Sequence, residues 1–273
     1  MTVRAREAAA LIWLLALLSI AILAPLLAPA DPRQPIGPAL TPPGPGARLG
    51  TDSLGRDVWS RMLYGARISL TAAMGAALLA TSLGVAAGLL AVSAGGALDA
   101  LVVFAANAAL AVPGLLLALL LVAGLGPGLP AVILAVGLSG APGFARVART
   151  LFLQVRESGF VDAASALGAS LPWVATRHLL PNASPNLLAL AATHYAWSFI
   201  GTTTLTFLGL AGDPSLPEWG AMLNAGRADL LSAPWLSLLP GLAICLTILA
   251  IYTLTEWLAR LSTPRSLTLP RSL

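Results

Sequence analysis

Catalytic and metal sites are built from histidine, cysteine, lysine and paired carboxylates, and in this chain those side chains are few and scattered. Asp213, Glu218 and Asp229 share one loop with no nucleophile or metal ligand spaced to work with them, the pattern of a solvated surface. His178 and His194 fall in different segments without ligand spacing. Cys245 is the only cysteine, so neither an internal disulfide nor a cysteine-based zinc site is available. Every basic residue is an arginine. A Walker A loop ends in Gly-Lys-Ser/Thr because its lysine must reach the phosphates; a chain without lysine holds no such loop, and any ATP hydrolysis belongs to a partner. The residues therefore point to no catalytic group, no metal site and no cofactor bound by this chain. What remains is hydrogen-bonding capacity. His194, Ser198, Thr202 and Thr206 recur at every fourth position and share one helix face, drifting about 40° per step. Lining of a water-filled path and hydrogen bonding between helices both fit this stripe, and the two readings stay open. His194, its most polar member, is the best placed to line a path.

The elements that must carry this stripe are membrane spans. Of 273 residues, 58% are hydrophobic and 10% charged, with mean hydropathy +0.87; a soluble domain carries about 25% charged residues. Six stretches are long enough to cross the hydrocarbon core: Ala8–Ala28, Ile68–Ser93, Leu98–Val122, Ala131–Val147, Leu187–Leu210 and Leu236–Leu258. Their interiors hold no Arg, Asp or Glu, each of which costs about 2.5–3.5 kcal/mol at a helix centre. The sequence pI near 10.2 suggests nucleic acid at first sight, but charge follows topology. With the amino terminus cytoplasmic, the inner segments sum to +4 and the outer ones to 0, as the positive-inside rule requires. No nucleic-acid partner is expected, and both termini are placed in the cytoplasm.

Arg4 and Arg6 ahead of an apolar run, with Ala28-Pro29-Ala30 behind it, imitate a cleaved signal. The run exceeds the usual signal core of about 7–15 residues, so an uncleaved first helix is expected. A Pro-rich linker follows over Pro29–Pro45. Gly50–Leu70 then reads as an amphipathic helix on the outer interface, feeding the second span. Gly84 and Gly88 are spaced for close helix packing, Pro113 for a kink in the third span, and Asn107 for a structural hydrogen bond.

One long polar segment interrupts the spans, Gly159–Pro181. Phe160, Ala163, Ala164 and Leu167 make one apolar face at helical spacing. Gly168 permits a turn closed to most residues, Ser170 and Pro172 suit the start of a second short helix, and Leu180-Pro181 reads as its end. A helix–turn–helix of this kind suits docking into a groove on another protein.

This segment closely resembles the EAA loop of ABC-importer permeases, at Asp162, Ala163, Ala164, Gly168, Leu180 and Pro181, with aspartate where the family has glutamate. A second resemblance, to the dipeptide/oligopeptide/nickel branch, lies at Gly50-Thr51-Asp52, Gly55-Arg56-Asp57, Ser60-Arg61, Tyr64-Gly65 and Arg67. A third runs from Phe207-Leu208-Gly209-Leu210 through Trp219-Gly220 to Leu239-Pro240-Gly241. Near the carboxyl end Thr255-Glu256-Trp257 stands where members often carry Gly-Asp.

The resemblance implies an all-α membrane protein of six transmembrane helices with a cytoplasmic helix–turn–helix coupling loop. It would be a multi-pass subunit of a bacterial inner (plasma) membrane. The expected divisions are an amino-terminal helix, linker and interfacial helix over 1–67, a permease core over 68–259 and a cytoplasmic tail over 260–273. The implied partners are a second homologous permease, two ATP-binding subunits that use ATP and Mg, and an extracytoplasmic solute-binding protein. The implied activity is ATP-driven import of di- or oligopeptides or similar small solutes by alternating access. An ATP-independent secondary transporter or channel is the alternative; such proteins usually couple ions through intramembrane ionisable groups, and these spans offer only His194.

Overall fold

The computed structural model describes residues 3–262, with side chains over 5–257. Of the tail expected over 260–273, residues 263–273, with Arg265 and Arg271, fall outside that description, as do the side chains of Arg4 and Arg260. The chain runs α1 (Val3–Leu27), α2 (Val58–Ala94), α3 (Gly96–Leu110), α4 (Gly114–Leu125), α5 (Leu129–Arg156), α6 (Gly159–Ala166), α7 (Leu171–Val174), α8 (Leu180–Phe207), α9 (Trp219–Gly226) and α10 (Trp235–Ser262). A π-helical turn, Ala175–Leu179, joins α7 to α8. Three isolated bridges in the 29–57 segment are the only β pairing among the described residues.

Among the described residues, four helical lengths are long and apolar enough to cross a membrane: Ala5–Leu27, Val58–Ala94, Leu129–Arg156 and Trp235–Trp257. α3 and α4 together make a fifth, but they meet at 91°. The expected kink at Pro113 is thus a break. Proline has no N–H to donate and pushes the preceding residue, Val112, out of helical geometry; Pro113 itself is extended, with ψ 128. α8 has sufficient length, but His194, the Thr202–Thr204 run and two asparagines leave it more polar than the other four.

α2 is the central pillar and packs most extensively on α5. Lipid tails are as apolar as leucine, so in a bilayer helix contact rests on close van der Waals fit and not on exclusion of water. The fit comes from small residues. A Cβ on Gly84 would lie 2.8 Å from the Phe144 Cβ, and one on Gly88 would lie 2.8 Å from the Arg149 nitrogen. One end of this contact is closed by Arg149, whose Nε and Nη2 donate to the two Asp99 carboxylate oxygens at 2.5 and 2.6 Å. Arg156 donates to the Val92 carbonyl in the same region.

The helix expected over Gly50–Leu70, feeding the second span, forms only from Val58 onward. Gly50–Asp57 is irregular and α2 begins at Val58, running unbroken for 37 residues. The cause is Asp52, whose Oδ1 accepts from the Leu54 and Arg56 backbone N–H groups at 2.9 and 3.0 Å and holds a turn. Asp57 then caps α2, with its Oδ2 accepting from Ser60 N at 2.8 Å.

Candidate functional site

The Gly159–Pro181 segment forms two short helices joined by a turn. Gly168 supplies that turn at φ +85° with no other atoms crowding it, a conformation that any residue with a Cβ resists. Val161, Val174 and Leu179 are buried and pack with Phe144, Phe152 and Val92 of α5 and α2. These three root the segment. Phe160, Leu167, Leu171 and Trp173 instead stand out from the protein, Leu167 at 90% exposure. Asp162 and Ala163 are exposed, Ala164 half-buried, and Gly168, Leu180 and Pro181 exposed.

Two expectations change here. Ser170 occupies the N-cap position of α7 but makes no side-chain capping bond. Leu180-Pro181 does not end the second helix: the chain passes through the π turn into α8, where Pro181 sits in the first turn and needs no N–H partner. The loop is therefore continuous with the helix that carries the polar stripe. His178, in that turn, was not singled out by spacing. Its ring lies 4.9 Å from Trp173 and 5.6 Å from Phe160, and so ties α7 to α6. An aromatic on each short helix with a histidine five residues past the second is the sequence trace of this contact.

The polar stripe on α8 divides. His194 and Ser198 line a cavity of about 630 Å³ between α8, α5 and the α3–α4 break, together with Ser139, Trp197 and Thr204. The His194 ring packs edge-on to Phe144 at 5.7 Å, in space that a side chain on Gly140 would fill. Ser198 Oγ is buried at the cavity wall with no hydrogen-bond partner among the described residues. Thr202 and Thr206 are buried among helices and donate to their own helix at Ser198 O and Thr203 O. Thr206 also bonds Glu218.

Glu218 is a solvated carboxylate on the sequence reading and the opposite in the fold. It is 1% exposed, accepts from Ser69 Oγ at 2.7 Å and caps α9 through Ala221 N at 2.9 Å. Burial raises its pKa, against the opposing pull of these bonds.

The outer motif is likewise internal. Asp52 Oδ2 lies 2.7 Å from Arg56 Nε and 3.4 Å from Arg61 Nε. Arg61 Nη1 donates to Pro32 O and Ser215 O at 2.9 and 3.1 Å, joining the linker to the segment before α9. Thr51 Oγ1 donates to Pro38 O at 2.7 Å. Gly50 and Gly55 turn at φ +78° and +75°. All of Gly50, Thr51, Asp52, Gly55, Arg56 and Asp57 are buried.

Residues 80–267 match the family described as binding-protein-dependent transport system inner membrane component. The chain belongs to that family. The permease is also 38% identical over 251 residues, 91% of its own length and 83% of theirs, to proteins named glutathione transport system permease protein GsiD, in Escherichia coli O1:K1 / APEC, in Shigella boydii serotype 4 and in Escherichia coli O157:H7. It is a permease component of a binding-protein-dependent ABC importer of the peptide/nickel branch, from an inner-membrane component family, and its relatives are transport subunits and not enzymes. Membership in such a system implies ATPase and solute-binding partners, and it supersedes the ATP-independent alternative.

Proposed function

We propose that this permease works by alternating access, with Gly159–Pro181 docked in a groove of an ATP-binding subunit. The observation that carries the reading is the division of that segment into buried roots and an exposed apolar crest running directly into α8. Movement of the crest would be transmitted along α8 to His194 and Ser198, which line the path; Thr202 and Thr206 hold the helix against its neighbours. The assembly contains a second homologous permease and two ATPase subunits that bind ATP and Mg. The chain crosses the membrane six times, α3–α4 and α8 included, with both termini cytoplasmic. The nucleotide state must favour one permease conformation by differential binding, since only that shifts an equilibrium. The solute is a small peptide of the glutathione or di- and oligopeptide class, in keeping with the names of the relatives.

The test uses the assembled importer. Gly168→Val strains the turn, because a β-branched residue resists positive φ, and Asp162→Arg reverses the exposed charge of the crest. Both variants should insert and assemble yet lose most of the solute-stimulated ATPase activity. Normal stimulation in both would remove the segment from coupling.

A further inference from the structure

A second large space lies on the surface of the molecule, between α1, α2, α8 and α10. It is a trough of about 720 Å³. Leu17, Ala21 and Ala77 form its buried floor, and Leu18, Met74 and Leu78 its exposed walls. The hydroxyls along it are already spent. Thr71 donates to Arg67 O, Thr81 to Leu78 O, Thr255 to Tyr252 O, and Tyr195 to Leu70 O. The trough thus presents hydrocarbon, with one exception. Arg67 lines one end, is exposed, and has no ion pair or hydrogen bond from its guanidinium among the described residues.

Depth gives that arginine a meaning. Gly88 packs beside Arg149, whose pair with Asp99 marks one boundary of the apolar zone. From Gly88 back to Ile68, α2 rises about 30 Å, the thickness of a bilayer's hydrocarbon core. Arg67 therefore stands at the opposite boundary, among headgroups, in the leaflet away from the Gly159–Pro181 segment. From Arg67 to Thr81 the trough runs about 21 Å along α2, enough to hold the tail of one leaflet's lipid, whose share of the core is about 15 Å.

We infer that this trough is a binding site for an anionic phospholipid, with the phosphodiester on Arg67 and an acyl chain along α1 and α2. Long-lived occupancy would brace α1 against the pillar helix. The site is independent of the coupling reading.

The test is native mass spectrometry of the full-length permease purified with its partner subunits and titrated with phosphatidylglycerol. The wild type should retain one tightly held phosphatidylglycerol per copy. Arg67→Gln should weaken retention about fivefold, the effect of one arginine at an anionic surface, and Arg67→Lys should restore most of it. Met74→Trp fills the trough from a 46%-exposed position without touching the charge and should also displace the lipid; it decides the matter if Arg67→Gln fails to assemble. Equal retention by Met74→Trp and wild type, or by all variants, would overturn the site. So would a cross-link from Met74→Cys, in a Cys245→Ser background, to the second permease, because a protein helix would then cover the trough.

Discussion

Glu218 has its carboxylate shut away from water and held by Ser69, Thr206 and the first turn of α9. Its raised pKa means that the folded chain resists proton release more than the unfolded chain does. The stability contributed by the neutral acid is complete below the unfolded value of about 4.3 and is lost as pH rises through the folded value. Glu218→Gln is neutral at every pH. The melting temperature of wild type relative to Glu218→Gln should accordingly fall between pH 4 and pH 8, and parallel curves would remove the linkage. Asp52 is a buried carboxylate that serves two guanidiniums. Asp52→Ala leaves Arg56 and Arg61 buried without their counter-charge, at a cost of about 3–5 kcal/mol. Denaturation of the purified variant should show that loss together with poorer assembly, and a loss below about 1 kcal/mol would mean that the arginines find other partners. At the cavity, Ser198→Leu should reduce solute transport while basal ATPase activity and assembly persist. Full transport by that variant would take Ser198 off the path.

Among the elements, the α2–α5 contact depends on glycine at Gly84 and Gly88. Gly88→Leu would push a side chain into the Arg149 backbone and part the helices. Overpacking of this kind costs about 1–3 kcal/mol, readable as a lowered melting temperature; an unchanged value would mean that α5 moves freely. The glycine spacing, the Gly168 turn and the long apolar runs were legible in the sequence because each reflects a local constraint. Elements whose shape depends on distant partners were not. Pro113 announces an interruption, but a 91° break is set by the packing of α4 on α5. Leu180-Pro181 reads as a stop, yet a proline in a first turn is compatible with a helix continued through a π turn. Gly50–Leu70 has amphipathic spacing, but the Asp52 side chain binds backbone N–H groups in a turn, and the helix starts only after Asp57, which caps it. Thr202 and Thr206 share their periodicity with Ser198, and only the neighbours α9 and α5 separate packing from lining.

For the molecule as a whole, the division of charge, +4 against 0, fixes an expected orientation. In a Cys245→Ser background, Ser53→Cys should react with impermeant thiol reagents from outside the cell and Ser165→Cys only after the inner face is opened. Both positions are exposed on the protein. External labelling of Ser165→Cys would invert the topology. A bilayer also accounts for the surface, where Leu26, Phe104 and Leu120 are exposed.

The bond from Arg61 to Ser215 O spans 154 residues of chain. At about 5–20 residues per second of synthesis, Arg61 leaves the ribosome roughly 8–30 s before its acceptor exists. For that interval the linker can be tied to α2 through Pro32, while the closure toward α9 stays unmade and a buried cation waits half-satisfied. The amino-terminal third of this protein is thus born before the piece that seals it, and a chain truncated between these points would carry an open clasp into the membrane.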